Sequence, residues 1–249
     1  MSRFDLTRRG RRRLFVVLAA GLVGLSVPLW VPRLLATLPA FRVEHVRVLG
    51  TRFVPPDEIT RLLALEPAAS VWDDVEPLQD RLRAHPMVRK AIIRRRGLHT
   101  LDVVVIEKRA VALVATPELR AVNGEGRILP LEPSEAALDL PIIEGQATLH
   151  DQVVQDSAIR RIAAVLGALD RSDPEFMSVV SQVGRAPGGG YRFVMLPSAD
   201  AGAVLLPPND PVRALHRVSI ALGQIDDARV DRADARFAGE VVLAGGDGR

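Results

Sequence analysis

Residues Leu14–Val31, LFVVLAAGLVGLSVPLWV, run eighteen positions without a charge. As a helix rising ~1.5 Å per residue they cover roughly 27 Å, close to the ~30 Å hydrocarbon thickness of a bilayer. Extension through Arg33 to Leu38 adds a further turn or more, because an arginine near the end of a span can carry its guanidinium to the interface while Trp30 sits at headgroup depth. Arg8, Arg9, Arg11, Arg12 and Arg13 stand directly before the stretch, and with Arg3 they face a single acid, Asp5. Positive charge so placed stays in the cytoplasm. The sequence therefore predicts a cytoplasmic basic stub over 1–13, a transmembrane anchor over 14–38 and a remainder on the far side of one membrane. A cleaved leader would have a shorter apolar core and a small-x-small site, neither of which is evident; a twin-arginine signal at Arg12-Arg13 would also carry a shorter core. A lipoprotein needs a cysteine, and the chain has none.

The net charge of +3 suggests a polyanion partner until it is divided. Removing the stub's six basic residues and one acid leaves 27 basic against 29 acidic residues, so the basicity belongs to the stub. A near-neutral remainder in a chain of only ten aromatic residues offers neither a phosphate-neutralising surface nor a stacking platform, which argues against nucleic acid. Absence of cysteine suits an oxidising compartment.

Beyond the anchor, Phe41–Leu49 alternates as a strand and ends at Gly50. Pro55-Pro56-Asp57-Glu58 opens a helix with Ile59, Leu62, Leu63 and Leu65 on one face, ending near Glu66-Pro67. Asp74 is placed to cap a second helix with Val75, Leu78 and Leu82 inward, stopped by Pro86. Val88–Arg95 and Leu101–Glu107 then read as an antiparallel hairpin. The predicted order is β-α-α-β-β.

That order, together with Val48-Leu49-Gly50, Ile59, Asp74, Leu82, Pro86-Met87-Val88, Ala91 and the run Leu101, Val103, Val105, Glu107, Arg109, Val111-Ala112, resembles the polypeptide-transport-associated (POTRA) module. Set directly after one anchor with a basic head, it is similar to the bacterial cell-division family FtsQ, called DivIB in other lineages. The chain departs from the family pattern at Gly97-Leu98, where an aromatic-proline pair is usual, at Ala110 for proline and at Met87 for tryptophan. The resemblance implies a POTRA domain over 41–109 and a second, β-domain over 110–244, with a disordered tail over 245–249.

In that second domain, Val111–Thr116, Leu119–Val122, Ile128–Leu131 and Leu140–Gly145 read as short strands. Asp156 is placed to cap a helix over Ser157–Arg171, with Ile159, Ile162, Ala163, Leu166 and Leu169 inward. Met177–Arg185, Tyr191–Leu196 and Ala203–Leu206 resume strands, the first two joined by a Gly188–Gly190 turn. A second helix spans Pro211–Ile225, and Arg229–Phe237 and Glu240–Leu243 are the last extended pieces. The expected fold class is α+β: one transmembrane helix, a β-α-α-β-β domain, then a mostly antiparallel sheet with two helices.

Chemistry is hard to place on this sequence. His45, His85, His99, His150 and His216 lack i+3 or i+4 partners, and no H-E-x-x-H or metal spacing occurs. No serine sits in a G-x-S-x-G elbow. Gly188–Gly190 precedes a strand, so it cannot present helix-terminal N–H groups to a phosphate. Asp73-Asp74 and Asp226-Asp227 are adjacent pairs whose side chains diverge. The reading is a protein that is not an enzyme, without cofactor, metal, small-molecule substrate or nucleic acid.

Recognition remains. An open strand edge accepts a partner strand through main-chain hydrogen bonds. The terminal segment carrying Asp234, Arg236, Phe237, Glu240, Val241, Val242 and Leu243 resembles the FtsQ segment that pairs with FtsB, which with FtsL forms the divisome's central subcomplex. The alternative is that Phe237, Val241 and Leu243 face the core while Asp234 and Arg236 form a local ion pair. On the first domain, Arg52, Arg61, Arg89 and Lys90 read as a solvated face. The resemblance implies a bitopic inner-membrane scaffold, N-terminus cytoplasmic and C-terminal domains periplasmic, enriched at the septum, linking early and late division proteins to septal peptidoglycan synthesis. An outer-membrane assembly factor would need many amphipathic barrel strands after the module, and an anchored hydrolase would need a nucleophile or metal group.

Overall fold

The structure is a computed structural model that describes Phe15, Val17, Leu18, Gly21 and residues 30–132, 138–225 and 229–245. The expected stub and twelve of the 25 residues of the expected anchor lie outside the described residues, as do Asp226-Asp227 and residues 246–249 of the expected tail. Residues 30–36 are helical. Among the described residues no helix is long and apolar enough to cross a membrane. The chain divides into two compact units, Met1–Glu107 and Lys108–Arg249.

The first unit follows the order read from the sequence: β1 (His45–Leu49), α1 (Pro56–Leu63), α2 (Glu76–Arg83), β2 (Val88–Arg96) and β3 (Thr100–Glu107). Its sheet has the order β1-β3-β2, with β1 parallel and β2 antiparallel to the central β3. Alternation along the strands sends Val88, Ala91, Ile93, Leu101, Val103 and Val105 to one face, where Ile59, Leu63 and Leu82 of the helices bury them.

Three boundaries differ from expectation, each for a local reason. Pro39–Phe41 is a 3-10 turn, and the strand starts four residues after Phe41. There the backbone of Arg42 and Val43 pairs with Ser70 and Ala69, and Phe41 packs edge-on against Trp72. Helix α1 ends at Leu63 because Ala64 turns left-handed (φ 45°) and Arg81 Nη1 donates to the freed Leu63 carbonyl at 2.6 Å. Val75 occupies the N-cap position of α2, although Asp74 still accepts the Glu76 N–H at 3.0 Å.

Glu107 ends β3 with its carboxylate inside the loop before α1. Its oxygens accept the N–H groups of Arg52, Phe53 and Val54 at 2.9 to 3.1 Å, so one side chain satisfies three consecutive donors.

The second unit contains β4 (Ala110–Ala115), β5 (Leu119–Asn123), β6 (Ile142–Gln146), β7 (Leu149–His150), β8 (Val153–Val154), α3 (Ser157–Ser172), α4 (Pro174–Ser178), β9 (Val180–Arg185), β10 (Tyr191–Met195), β11 (Ala201–Leu206), α5 (Pro211–Leu222), β12 (Val230–Asp234) and β13 (Val242–Gly245). Eight strands form one sheet in the order β13-β12-β11-β10-β9-β6-β4-β5, while β7 and β8 pair separately. Helices α3 and α5 touch each other and bury Ile162, Leu166, Leu169, Leu215 and Val218 in the core with Phe193. Asp156 caps α3 as expected, accepting the Ala158 and Ile159 N–H groups at 2.8 and 3.0 Å, and these bonds hold its carboxyl below the usual range.

Four of the sheet's seven pairings are antiparallel, as expected, but the sheet is mixed. Pairs β4–β6, β6–β9 and β11–β12 are parallel, because the chain between members of the last two pairs crosses over through α3 and α5. Met177 belongs to α4, not to a strand, since Asp173 caps that turn through the Phe176 N–H at 2.9 Å with Pro174 at its start. Ile128–Leu131 is not a strand of the sheet; it contributes one bridge, Val122 to Ile128. Gly245, expected in the tail, closes β13.

Candidate functional site

The two outer edges of the eight-stranded sheet differ. Outside β5, the chain returns over residues 127–129: Asn123 N–H donates to Arg127 O at 3.0 Å and Leu129 N–H to Ala121 O at 2.8 Å. That edge is sealed by its own sequence. At the other end β13 is the terminal strand, paired only inward with β12 through Asp234–Val242, Ala233–Leu243 and Arg232–Ala244. Its outer main chain is the sheet's open edge among the described residues.

The residues singled out from the sequence gather at the corner between β12 and β13, in two groups. Asp234 is buried, and Arg236 clasps it with Nε at 2.9 Å, Nη2 at 2.7 Å and backbone N–H at 3.1 Å. The same guanidinium donates through Nη1 to the Pro187 carbonyl and, at 3.4 Å, to that of Gly189. Arg236 thus ties the corner to the turn between β9 and β10. Within that turn Gly190 (φ 84°) permits a close approach to β11: a Cβ there would lie 2.2 Å from Leu206 O. From α5, Arg217 Nη2 donates to Ala235 O at 3.1 Å and fixes the chain just before Arg236.

The second group is Phe237, Glu240, Val241, Val242 and Leu243. Val241 and Leu243 are half-buried against the core, as the alternative reading holds. Phe237 contradicts that core placement, with 53% of its surface exposed, while Val242 is 47% exposed and Glu240 is exposed beside them. They flank the unpaired main chain of β13, and unpaired main chain at a sheet edge is what strand addition uses. Asp234 and Arg236, by contrast, use their polar groups internally. Sequence reasoning missed Arg217 and the Pro187 and Gly189 carbonyls, which lie 18 to 49 residues from their partners and leave no local signal.

The Arg236 guanidinium holds the Asp234 carboxyl below the usual aspartate range, against the opposing effect of burial. A carboxyl depressed by folding contributes stability that is complete above the ordinary aspartate pKa of ~3.9 and disappears as pH falls through its lower folded value. Acid titration of stability is therefore expected to show wild type and Asp234→Asn converging as pH falls from about 5 toward 2. A difference between them that does not vary with pH would show that the pair is not coupled to folding.

Other candidate groups do not assemble. Asp73 Oδ2 accepts the Ser70 N–H at 2.7 Å, an internal loop contact, and Asp74 serves α2. His85, His99 and His150 lie 3.3 to 3.8 Å from single carboxylates, of Glu58, Glu44 and Asp151. Among the described residues no group of three or more His, Asp or Glu could hold a metal.

Residues 41–108 match the family described as POTRA domain, FtsQ-type. Over nearly the whole chain, the Cell division protein FtsQ of Rhodothermus marinus is 28% identical across 250 residues, covering 94% of this chain and 87% of that protein. The protein of the same name from Anaeromyxobacter sp. is 27% identical across 200 residues, 78% of this chain and 66% of that one. That of Myxococcus fulvus is 28% identical across 151 residues, 59% of this chain and 53% of that one. Residues 41–108 thus carry an FtsQ-type POTRA domain, and with a strand-rich unit after it the chain is similar over most of its length to cell division proteins of the FtsQ family.

Proposed function

We propose that this chain is a non-enzymatic scaffold of the division machinery, held in the inner membrane by residues 14–38, with its N-terminus cytoplasmic and both folded units periplasmic. At the septum it links early and late division proteins to peptidoglycan synthesis. Its partner site is the outer edge of β13, which accepts a strand of FtsB, with FtsL carried in the same subcomplex. The observation that carries this reading is the asymmetry of the sheet: one edge sealed by residues 127–129, the other open beside the exposed Phe237 and Val242. Cell-division naming of the relatives supports the biological setting.

Phe237 supplies the anchor side chain and Val242 alternates onto the accepting surface. Glu240 adds charge at the rim, and Val241 and Leu243 hold the strand down on the core. Asp234 and Arg236 act as positioning residues, so reversing Arg236 would disturb the corner itself and cannot isolate binding. The test uses Phe237→Asp with Val242→Asp in the full chain, co-purified with FtsB. Loss of a buried aromatic anchor costs about 2 kcal/mol or more, roughly a thirtyfold loss of affinity. Thermal unfolding should change little, since about half of each side chain is already in water. Undiminished co-purification would refute the site, and normal division on depletion would refute the role.

A further inference from the structure

The β2–β3 hairpin carries a feature that strand addition at β13 does not use. Its tip, Arg96-Gly97-Leu98-His99, presents Leu98 with 57% of its surface exposed, and Arg94 and Arg96 are exposed on the strand leading into it. Main-chain bonds fix where this tip lies. His99 O accepts the N–H groups of Glu44 and His45 at 2.9 and 3.1 Å, and His99 Nδ1 lies 3.2 Å from Arg42 O. The tip is thereby locked to the segment that enters the unit from residue 38.

We propose that this tip is a second membrane contact, with Leu98 entering the interfacial layer and the guanidinium groups of Arg94 and Arg96 meeting the phosphates of anionic phospholipids. The inference rests on the reading of residues 14–38 as a membrane span. From Leu38 to Arg42 the chain runs through the 3-10 turn at Pro39–Phe41. At ~2 Å per residue those four steps advance about 8 Å. Counted from Leu38 as the end of the span, that distance is comparable to one headgroup layer, about 5–8 Å thick, which brings the tip within reach of it.

Charge on this part of the unit favours lipid phosphate. Strand β2 ends Arg94-Arg95-Arg96, all exposed; Arg95 is engaged 4.8 Å over the Trp72 ring, and strand alternation puts Arg94 and Arg96 on the opposite face. The opposing acids are Asp102, held by two contacts to Arg47 at 3.0 and 2.8 Å and 3.6 Å from Arg96, and Glu44, 3.8 Å from His99. An exposed leucine flanked by arginines has the composition of an interfacial anchor, where the apolar group leaves water and the cations stay at phosphate depth.

Because the chain lacks cysteine, single-cysteine variants can be labelled uniquely. The full chain is placed in nanodiscs of phosphatidylglycerol or of phosphatidylcholine, each containing a lipid-borne quencher, with an environment-sensitive dye at Leu98→Cys, at Gly21→Cys, or at Asp57→Cys on α1. The expected result is quenching at Leu98→Cys well above that at Asp57→Cys in the anionic discs. Arg94→Glu with Arg96→Glu should lower the ratio of docked to undocked tip about 25-fold, at roughly fivefold per guanidinium. Quenching at Gly21→Cys with Leu98→Cys remaining in water overturns the proposal and leaves the span intact. No quenching at Gly21→Cys removes the span and the proposal together. Equal quenching of Leu98→Cys in phosphatidylcholine overturns the assignment to anionic headgroups, and a tip shielded only when a second division protein is added assigns it to that protein instead.

Discussion

Gly50→Ala is expected to unfold the first unit's sheet. Gly50 ends β1 with φ 83°, and a Cβ built there lies 2.4 Å from Val105 O, with the Val105 carbon at 3.6 Å and nitrogen at 3.8 Å. No rotamer relieves such a contact, because both partners are main chain. Val105 belongs to the central strand, where it faces Ala91 of β2, so displacing it disturbs both neighbours. The left-handed conformation alone costs an L-residue about 1–2 kcal/mol, and the forced strand shift raises the total to about 3 kcal/mol or more. Against a typical domain stability of about 5–15 kcal/mol that is a large share. Hydrogen exchange is the direct measure: protection of the β1 and β3 amides should collapse while that of β9–β12 stays. Retained protection at β3 would show that the backbone accommodates the methyl group.

Leu166→Ala should have a comparable effect on the second unit. Leu166 sits mid-helix in α3 with no solvent exposure, in the cluster that contains Ile143, Val183 and Phe193. Truncating a buried leucine costs about 2–5 kcal/mol, from lost transfer energy and the cavity left behind. Ile220 provides the comparison, since it lies on a helix of the same unit with half its surface in water. Ile220→Ala should change stability by no more than about 0.5 kcal/mol. Chemical denaturation of the two variants measures both, and similar midpoints would mean that α3 does not carry the core.

The parts of this fold that sequence reveals are those specified by neighbours. Pro55-Pro56 followed by Asp57-Glu58 starts α1, Asp156 caps α3, and three glycines with positive φ turn the chain between β9 and β10. Contacts distant in sequence decide the rest. Arg81 shortens α1 from 18 residues away, and Ser70 and Ala69 draw Arg42 and Val43 out of the expected strand. Strand periodicity reports which residues face inward, but it is the same for parallel and antiparallel neighbours. The mixed sheet was therefore not legible in the alternation of β6 or β12. At the candidate edge, the pairing of Asp234 with Arg236 is readable because they are two residues apart. The exposure of Phe237 depends on a corner held by Arg217 and by carbonyls of a distant turn.

A sheet closed at β5 by its own returning chain and open at β13 has a valency of one. It cannot polymerise edge to edge with its own copies beyond a pair, because among the described residues the same sheet has no second free edge to continue the stack. Whatever adds at β13 becomes the new border. The growth of any larger assembly through that sheet is then governed by the added strand's outer edge.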